Sequence, residues 1–280
     1  MSIELPEARI LAEQMNRELV GKRVRAYQLR GHERLQKIGF LNRDQKDFER
    51  LVGRTVESVV SRGNSIRVRL DNGLNLLLAP EYGGEIFYHP SGAAVNEGFH
   101  LLIDFEDGTA LTVKIASMGV IQALRDDELA GSYIFRRDFN PGVLSPADED
   151  LTFERFSALL AQTGRALKSV LVGKDAIMVG LSNSAFQDIL YRAKINPKRK
   201  ASELSAIERR ALYDAIRFVV SERLRLKGKD QFLDLYGKRG RYSPAMGPNM
   251  KGRKCGACGS PIEEISHGGG RIFICPKCQD

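Results

Sequence analysis

The sequence predicts an α+β protein: an N-terminal helix laid on a β-sandwich, a separate helical domain, and a small C-terminal module built on cysteines. Three observations predict it. Apolar residues recur every three or four positions at the start of the chain, short β-rich runs bounded by turn residues fill roughly 54–124, and helical spacing returns beyond 140. All four cysteines then fall within 255–278.

The first helix opens at Glu4-Leu5-Pro6, sets Ala8, Leu11, Ala12, Met15 and Leu19 on one stripe, and ends near Gly21. A stripe of this kind needs an apolar partner, and the sheet supplies one. Strands are expected at 55–60, 65–70, 74–78, 85–88, 101–105, 110–115 and 120–124, divided by turn signals such as Asp71-Asn72-Gly73 and Asp107-Gly108. Asn140-Pro141-Gly142 and Ser145-Pro146 close that region. Helical groupings follow: Phe153, Phe156, Leu159 and Leu160; Ile189, Leu190 and Ala193; then Ile207, Ala211, Leu212, Ala215, Ile216, Val219 and Val220. The Gly-, Lys- and Arg-rich stretch 227–253 has little periodicity and reads as a linker. The expected domains are therefore a helix plus β-sandwich at 1–140, a helical domain at 141–228, a basic linker at 229–254 and a cysteine module at 255–280.

At 280 residues, with 42% hydrophobic and 28% charged residues, the chain has the balance of a globular protein rather than a disordered one. The longest apolar runs fall far short of the ~20 residues that cross a bilayer, so no membrane partner is expected. The N-terminus carries no basic stretch followed by an apolar segment and a small-residue cleavage site, which predicts a cytoplasmic protein; a monomer is expected. A net charge of +8 and a pI near 9.3 favour a polyanion. Lys and Arg crowd the last third, among them Lys194, Lys198, Arg199, Lys200, Lys227, Lys229, Lys238, Arg239 and Arg241, and nucleic acid is the polyanion that best fits. Charge alone fits a merely solvated surface equally well.

Cys255-x2-Cys258 and Cys275-x2-Cys278 are separated by sixteen residues. Two such knuckles present four thiolates tetrahedrally, which suits a structural Zn²⁺ and leaves no open coordination position for catalysis. Two disulfides or an iron–sulfur cluster are the alternatives; the missing export signal disfavours the first and the spacing the second. Gly256, Gly259 and Pro276 suit the knuckle turns, and Gly268-Gly269-Gly270 suits a hairpin tip. His267 reads as a surface residue, and Arg271 on the hairpin reads either as a phosphate contact or as a solvated strand residue.

Three separated stretches resemble the formamidopyrimidine-DNA glycosylase and endonuclease VIII family. Glu4-Leu5-Pro6-Glu7 is similar to its opening signature; Gly180-Leu181-Ser182-Asn183 with Asp188, Tyr191-Arg192-Ala193, Ile195 and Pro197 resembles its helix-two-turn-helix; the third stretch is the terminal four-cysteine zinc finger. The resemblance implies the same fold order and DNA held by the protein with a base flipped from the stack. It implies that Asn183 holds a phosphate, although an N-cap role suits the residue equally. In the family an N-terminal proline amine attacks the sugar C1′ to form a Schiff base, and the adjacent glutamate handles protons.

The same resemblance exposes departures. Ile3, not proline, precedes Glu4, and Ser2 precedes that. Removal of Met1 would leave a primary Ser2 amine, whose pKa of about 7.7–8.0 supplies some free base at neutral pH. That amine stands one residue, ~3.3 Å of chain, further from Glu4. Arg62-Gly63-Asn64 resembles a turn at which many members carry lysine, so Asn64 is the candidate DNA contact there. Ala79-Pro80-Glu81 stands where a void-filling residue is expected, with Glu81 expected to repel DNA, and 114–119 resembles a later intercalation loop in which Met118 remains able to wedge into a stack. Glu4 and Glu7 read either as helix-capping carboxylates or as acid/base groups.

Two readings follow. In one, the chain is a DNA N-glycosylase and apurinic-site lyase using Ser2, Glu4 and Glu7. In the other, it grips damaged or abasic duplex DNA through Asn183, Arg271, Asn64 and Met118 with its chemistry altered or lost. Structured RNA or the ribosome is a third partner class that phosphate-holding turns and basic knuckles do not exclude.

Overall fold

Helix α1 (Leu5–Leu19) starts where the sequence places it, because Glu4 and Glu7 form a reciprocal capping box around Pro6 in the first turn. Its stripe, including Ala8, Leu11, Ala12, Met15 and Leu19, is fully buried. In this computed structural model, which describes residues 3–95, 97–173 and 175–279, the chain forms two units. One comprises Met1–Asn140 with Lys227–Arg241; the other comprises Pro141–Leu226 with Tyr242–Asp280.

The first unit continues with β1 (Val24–Leu29), α2 (His32–Lys37), β2 (Val56–Arg62), β3 (Ser65–Leu70), β4 (Leu74–Tyr82), β5 (Glu85–His89), β6 (Leu101–Phe105), β7 (Ala110–Lys114), β8 (Met118–Arg125) and α3 (Tyr133–Asp138). The strands make two four-stranded antiparallel sheets, ordered β1-β6-β7-β5 and β2-β3-β4-β8. Val24, Ile103, Phe105 and Leu111 of one sheet and Val56, Val68, Leu70 and Leu76 of the other line a common apolar core, joined by Leu19 of α1. Full burial of each such side chain contributes about 1.5–3 kcal/mol. Asn72 and Gly73, at φ of 57° and 67°, supply the left-handed turn that joins β3 to β4.

The stretch 229–254, read from sequence as a linker, is instead folded and shared between the two units. In the first unit, Gln14 of α1 donates to Asp234 at 2.8 Å and accepts from the Leu235 N–H at 3.0 Å, while the Tyr88 N–H donates to the Leu235 carbonyl at 3.0 Å. Phe232 and Leu235 are fully buried. The segment has no periodicity because its partners lie about 150–220 residues back along the chain rather than within it.

The second unit contains α4 (Phe153–Ala161), α5 (Leu167–Leu171), α6 (Asn183–Ala193), α7 (Ala206–Arg225) and a hairpin of β9 (Glu263–His267) and β10 (Gly270–Ile274). Ser205 and Glu208 cap α7 reciprocally, and α6 packs against both α7 and β10. The rest of the supposed linker straps this unit together. Asp188 of α6, buried, accepts from the Tyr242 hydroxyl and, at 3.0 Å, from the Ala245 N–H, and Met246 packs with Cys255, Phe273 and Cys275. The hairpin tip is Gly268-Gly269, both left-handed, with Gly270 already paired to His267 in the ladder. The expected α+β order of helix, sandwich, helical region and cysteine hairpin is therefore present. Among the described residues no helix is long and apolar enough to cross a membrane.

Candidate phosphate-binding cluster and four-cysteine centre

The N-terminus of α6 is capped by Ser182, whose Oγ accepts from the Ser184 N–H at 3.3 Å. Asn183 is thus the first helical residue and not the cap, correcting that alternative: the chain becomes helical one residue earlier than the cap reading requires. Its side chain turns to the hairpin, Nδ2 donating to the Arg271 carbonyl at 3.1 Å. Asn183 Oδ1 is buried and has no hydrogen-bond partner among the described residues. Gln187, one turn on, receives the Phe273 N–H at 2.8 Å and fixes α6 to β10.

Lys168, on α5, donates to the His267 carbonyl at 2.6 Å. A Cβ placed on Gly270 would lie 3.4 Å from Lys168 Nζ and 3.6 Å from Asn183 Nδ2, so an ammonium and an amide donor converge above a backbone with no side chain. Burial pushes the Lys168 ammonium below its ordinary pKa. Burial, then the charges of Lys168 and Lys198, does the same to His267, which is half-buried rather than the surface residue expected. Arg271 is 74% exposed and shares Glu264 with Lys251, at 3.1 and 3.4 Å. A convergent ammonium and amide, with an exposed guanidinium on the neighbouring residue, are chemically suited to an oxyanion such as a phosphate. Sequence reasoning missed Lys168. Its only signal is a cation among the buried Leu167, Val170 and Leu171, which marks the outward face of a short helix.

The sulfur atoms of Cys255, Cys258, Cys275 and Cys278 all lie within 4.8 Å of one another, including 3.9 Å between Cys255 and Cys278 and 3.5 Å between Cys258 and Cys275. Four bonds of ~2.3 Å in a tetrahedron require sulfurs about 3.8 Å apart, so the set can hold a metal ion. The Tyr191 hydroxyl reaches Cys255 Sγ at 3.2 Å, and that bond, with burial, pushes its pKa up to about 12. Hydrogen bonds from Ser260 lower the Cys258 thiol, while the neighbouring sulfurs and burial raise those of Cys275 and Cys278, so the four titrate as one set.

In the first unit, Glu4 and Glu7 are fully buried. Lys229 Nζ donates to Glu4 Oε2 at 3.2 Å and the Lys229 N–H to Glu7 Oε1 at 3.1 Å, while the Glu4 N–H donates to Glu7 Oε2 at 3.3 Å. Both carboxylates therefore cap α1 and also hold a lysine. Ser2 lies outside the described residues. The N–H of buried Ile3 donates to the Glu81 carbonyl at 2.8 Å. Glu81 does not stand as an unpaired negative charge: its carboxylate pairs with Arg137, which also holds Asp138 at 2.7 Å. Asp138 receives the Asn64 N–H at 3.3 Å, and Asn64 Oδ1 has no partner among the described residues. Met118 and Tyr82, 48% and 38% exposed, face each other in the β8–β4 ladder.

Two family models match this chain. One, described as the formamidopyrimidine-DNA glycosylase N-terminal domain, matches residues 3–115; the other, the H2TH domain of the same glycosylase, matches 143–232. The formamidopyrimidine-DNA glycosylase of Streptococcus pneumoniae R6 is 26% identical over 281 residues, covering 99% of this chain and 98% of its own length. That of Roseiflexus sp. RS-1 is 28% identical over 282 residues, with 99% of each covered. The fold is similar to Lactococcus lactis Fpg in complex with DNA containing an abasic site, at a TM-score of 0.84 and 20% identity, and to Thermus thermophilus MutM (Fpg), at 0.81 and 24%; each comparison covers 99% of this chain, with 99% and 98% of the respective neighbours.

Proposed function

The chain belongs to the formamidopyrimidine-DNA glycosylase family, and from that premise we propose that it recognises base-damaged or abasic duplex DNA, with base-excision and strand-cleavage chemistry that departs from the family pattern. The observation that carries the binding half is the convergence of Lys168 Nζ and Asn183 Nδ2 over Gly270, with Arg271 beside it. These groups grip a phosphate of the duplex, and the exposed Met118, with Asn64 on the β2–β3 turn, contacts the strand nearby a lesion. The four cysteines hold a structural Zn²⁺ that fixes the hairpin on which Arg271 stands. The protein acts as a monomer.

The departure in chemistry rests on Ile3, which stands where the family resemblance puts a proline, and on Glu4 and Glu7, each engaged with Lys229. In this reading Schiff-base chemistry needs an amine beside Glu4; the Ser2 amine is the one that the family resemblance suggests, and mass spectrometry of the purified protein establishes whether that amine is free. The test of the binding reading is competition at fixed salt between a labelled abasic-site duplex, an intact duplex and an RNA hairpin, with Asn183→Ala alongside. DNA duplexes displace the label and RNA does not; Asn183→Ala weakens the duplexes alike. Preferential displacement by RNA would transfer the assignment to structured RNA or the ribosome.

A further inference from the structure

Lys229 is the one buried lysine among the described residues, and the loop around it is shaped to bring it to Glu4. Gly228 is left-handed at φ 91°, and a Cβ there would meet the Phe232 ring at 2.5 Å. A Cβ on Gly240 would meet the carbonyl oxygens of Gly228 and Lys229 at 2.3 Å. Neither position admits a side chain, so two glycines permit the close turn on which Lys229 stands. Its N–H is fixed on Glu7 at 3.1 Å and its carbonyl accepts the Phe232 N–H at 2.9 Å. The Nζ is then 3.2 Å from Glu4 Oε2, within proton-transfer reach. Of the pair, the lysine side chain is 7% exposed and the glutamate side chain 0%, so the amine is the member an incoming group meets.

We propose that Lys229 is an amine nucleophile toward the ring-opened aldehyde of an abasic deoxyribose, with Glu4 as its proton partner. This rests on the DNA-recognition reading above. Glu4 takes a proton from the Lys229 ammonium; the freed lone pair attacks C1′, forming the C–N bond. The C1′–O π pair moves onto oxygen, which takes one proton from the attacking nitrogen and the other back from Glu4 and leaves as water, giving the protonated imine. Glu4 then removes the C2′ proton, the C3′–O bond breaks with its electron pair leaving on the phosphate, which takes that proton from Glu4, and water hydrolyses the imine to release the unsaturated aldehyde and restore the Lys229 ammonium. No oxidant or reductant is consumed.

Borohydride reduction of the imine on a duplex with one aldehydic abasic site, followed by peptide mass spectrometry, locates the attacking nitrogen. A duplex with a tetrahydrofuran site, which has no aldehyde, measures binding separately. The adduct is expected on the Lys229 peptide and, in Lys229→Arg, is expected to fall by roughly a hundredfold or more because guanidinium stays protonated. Arginine keeps the charge beside Glu4, so binding to the tetrahydrofuran duplex changes by less than about threefold. Glu4→Gln slows adduct formation without moving its site. An adduct on Ser2 or another lysine, or tight tetrahydrofuran binding with no adduct, would overturn the Lys229 assignment and leave DNA recognition standing. Failure to bind the tetrahydrofuran duplex would overturn both.

Discussion

Replacing Lys168 with methionine keeps most of the side-chain volume and removes one ammonium from the cluster over Gly270. Lys168 is part-buried, so its field is less screened than that of a surface lysine, and a hydrogen bond to a charged group contributes about 1.5–3 kcal/mol. That is roughly a ten- to hundredfold weaker Kd. Losing one phosphate contact also lowers the slope of log K against log salt by about 0.9. The assay is fluorescence anisotropy of an abasic-site duplex across a salt series, for wild type, Lys168→Met and Lys168→Arg. The fold control is circular dichroism with zinc content, because the lysine also bonds the His267 carbonyl at 2.6 Å. Weaker binding with a reduced slope in the methionine variant, and a slope restored by arginine, is the expected pattern. An unchanged slope in Lys168→Met would show that this ammonium meets no phosphate.

Other consequences are equally open to measurement. Lys229→Met takes the paired ammonium from the buried Glu4 carboxylate, which keeps its place in the capping box, and lowers stability by about 3–5 kcal/mol in urea, whereas Lys229→Arg costs less. Met246→Ala opens a hole against Cys255, Phe273 and Cys275 and costs about 2–5 kcal/mol, read as a lower melting temperature of the zinc-loaded protein. Ser260→Ala removes a side-chain hydrogen bond that favours the Cys258 thiolate, and the pH midpoint of zinc release, followed with a colorimetric chelator, moves upward. Met118→Ala leaves binding to intact duplex unchanged and reduces the preference for an abasic site.

Elements whose stabilising contacts are periodic along the chain were legible in the sequence. Helix α1 announces itself by spacing and by the Glu4–Glu7 box, and seven strands by β-rich runs between turn residues. Strand β1 was not foreseen, because Val24 is its only fully buried residue and it lies at a sheet edge. Helices α2, α3 and α5, of five or six residues each, are too short to display a period. The 227–253 stretch looked like a linker because Phe232, Leu235 and Met246 find their partners through tertiary packing, and not through neighbours three or four residues away. The cysteine cluster was legible from spacing alone, since two short knuckles bring paired thiols together locally. Lys168 and Lys229 were not: one lies 99 residues from the carbonyl it binds and the other 225 residues from its carboxylate, and no local pattern carries such a pairing.

The most direct test of the account compares Kd values for an abasic-site duplex and an intact duplex of the same sequence, at one salt concentration, with the wild-type protein. Tighter binding of the abasic duplex by about tenfold or more, about 1.4 kcal/mol, is the predicted result. Equal affinity for the two would contradict lesion recognition and leave a protein that holds duplex phosphates without reading damage.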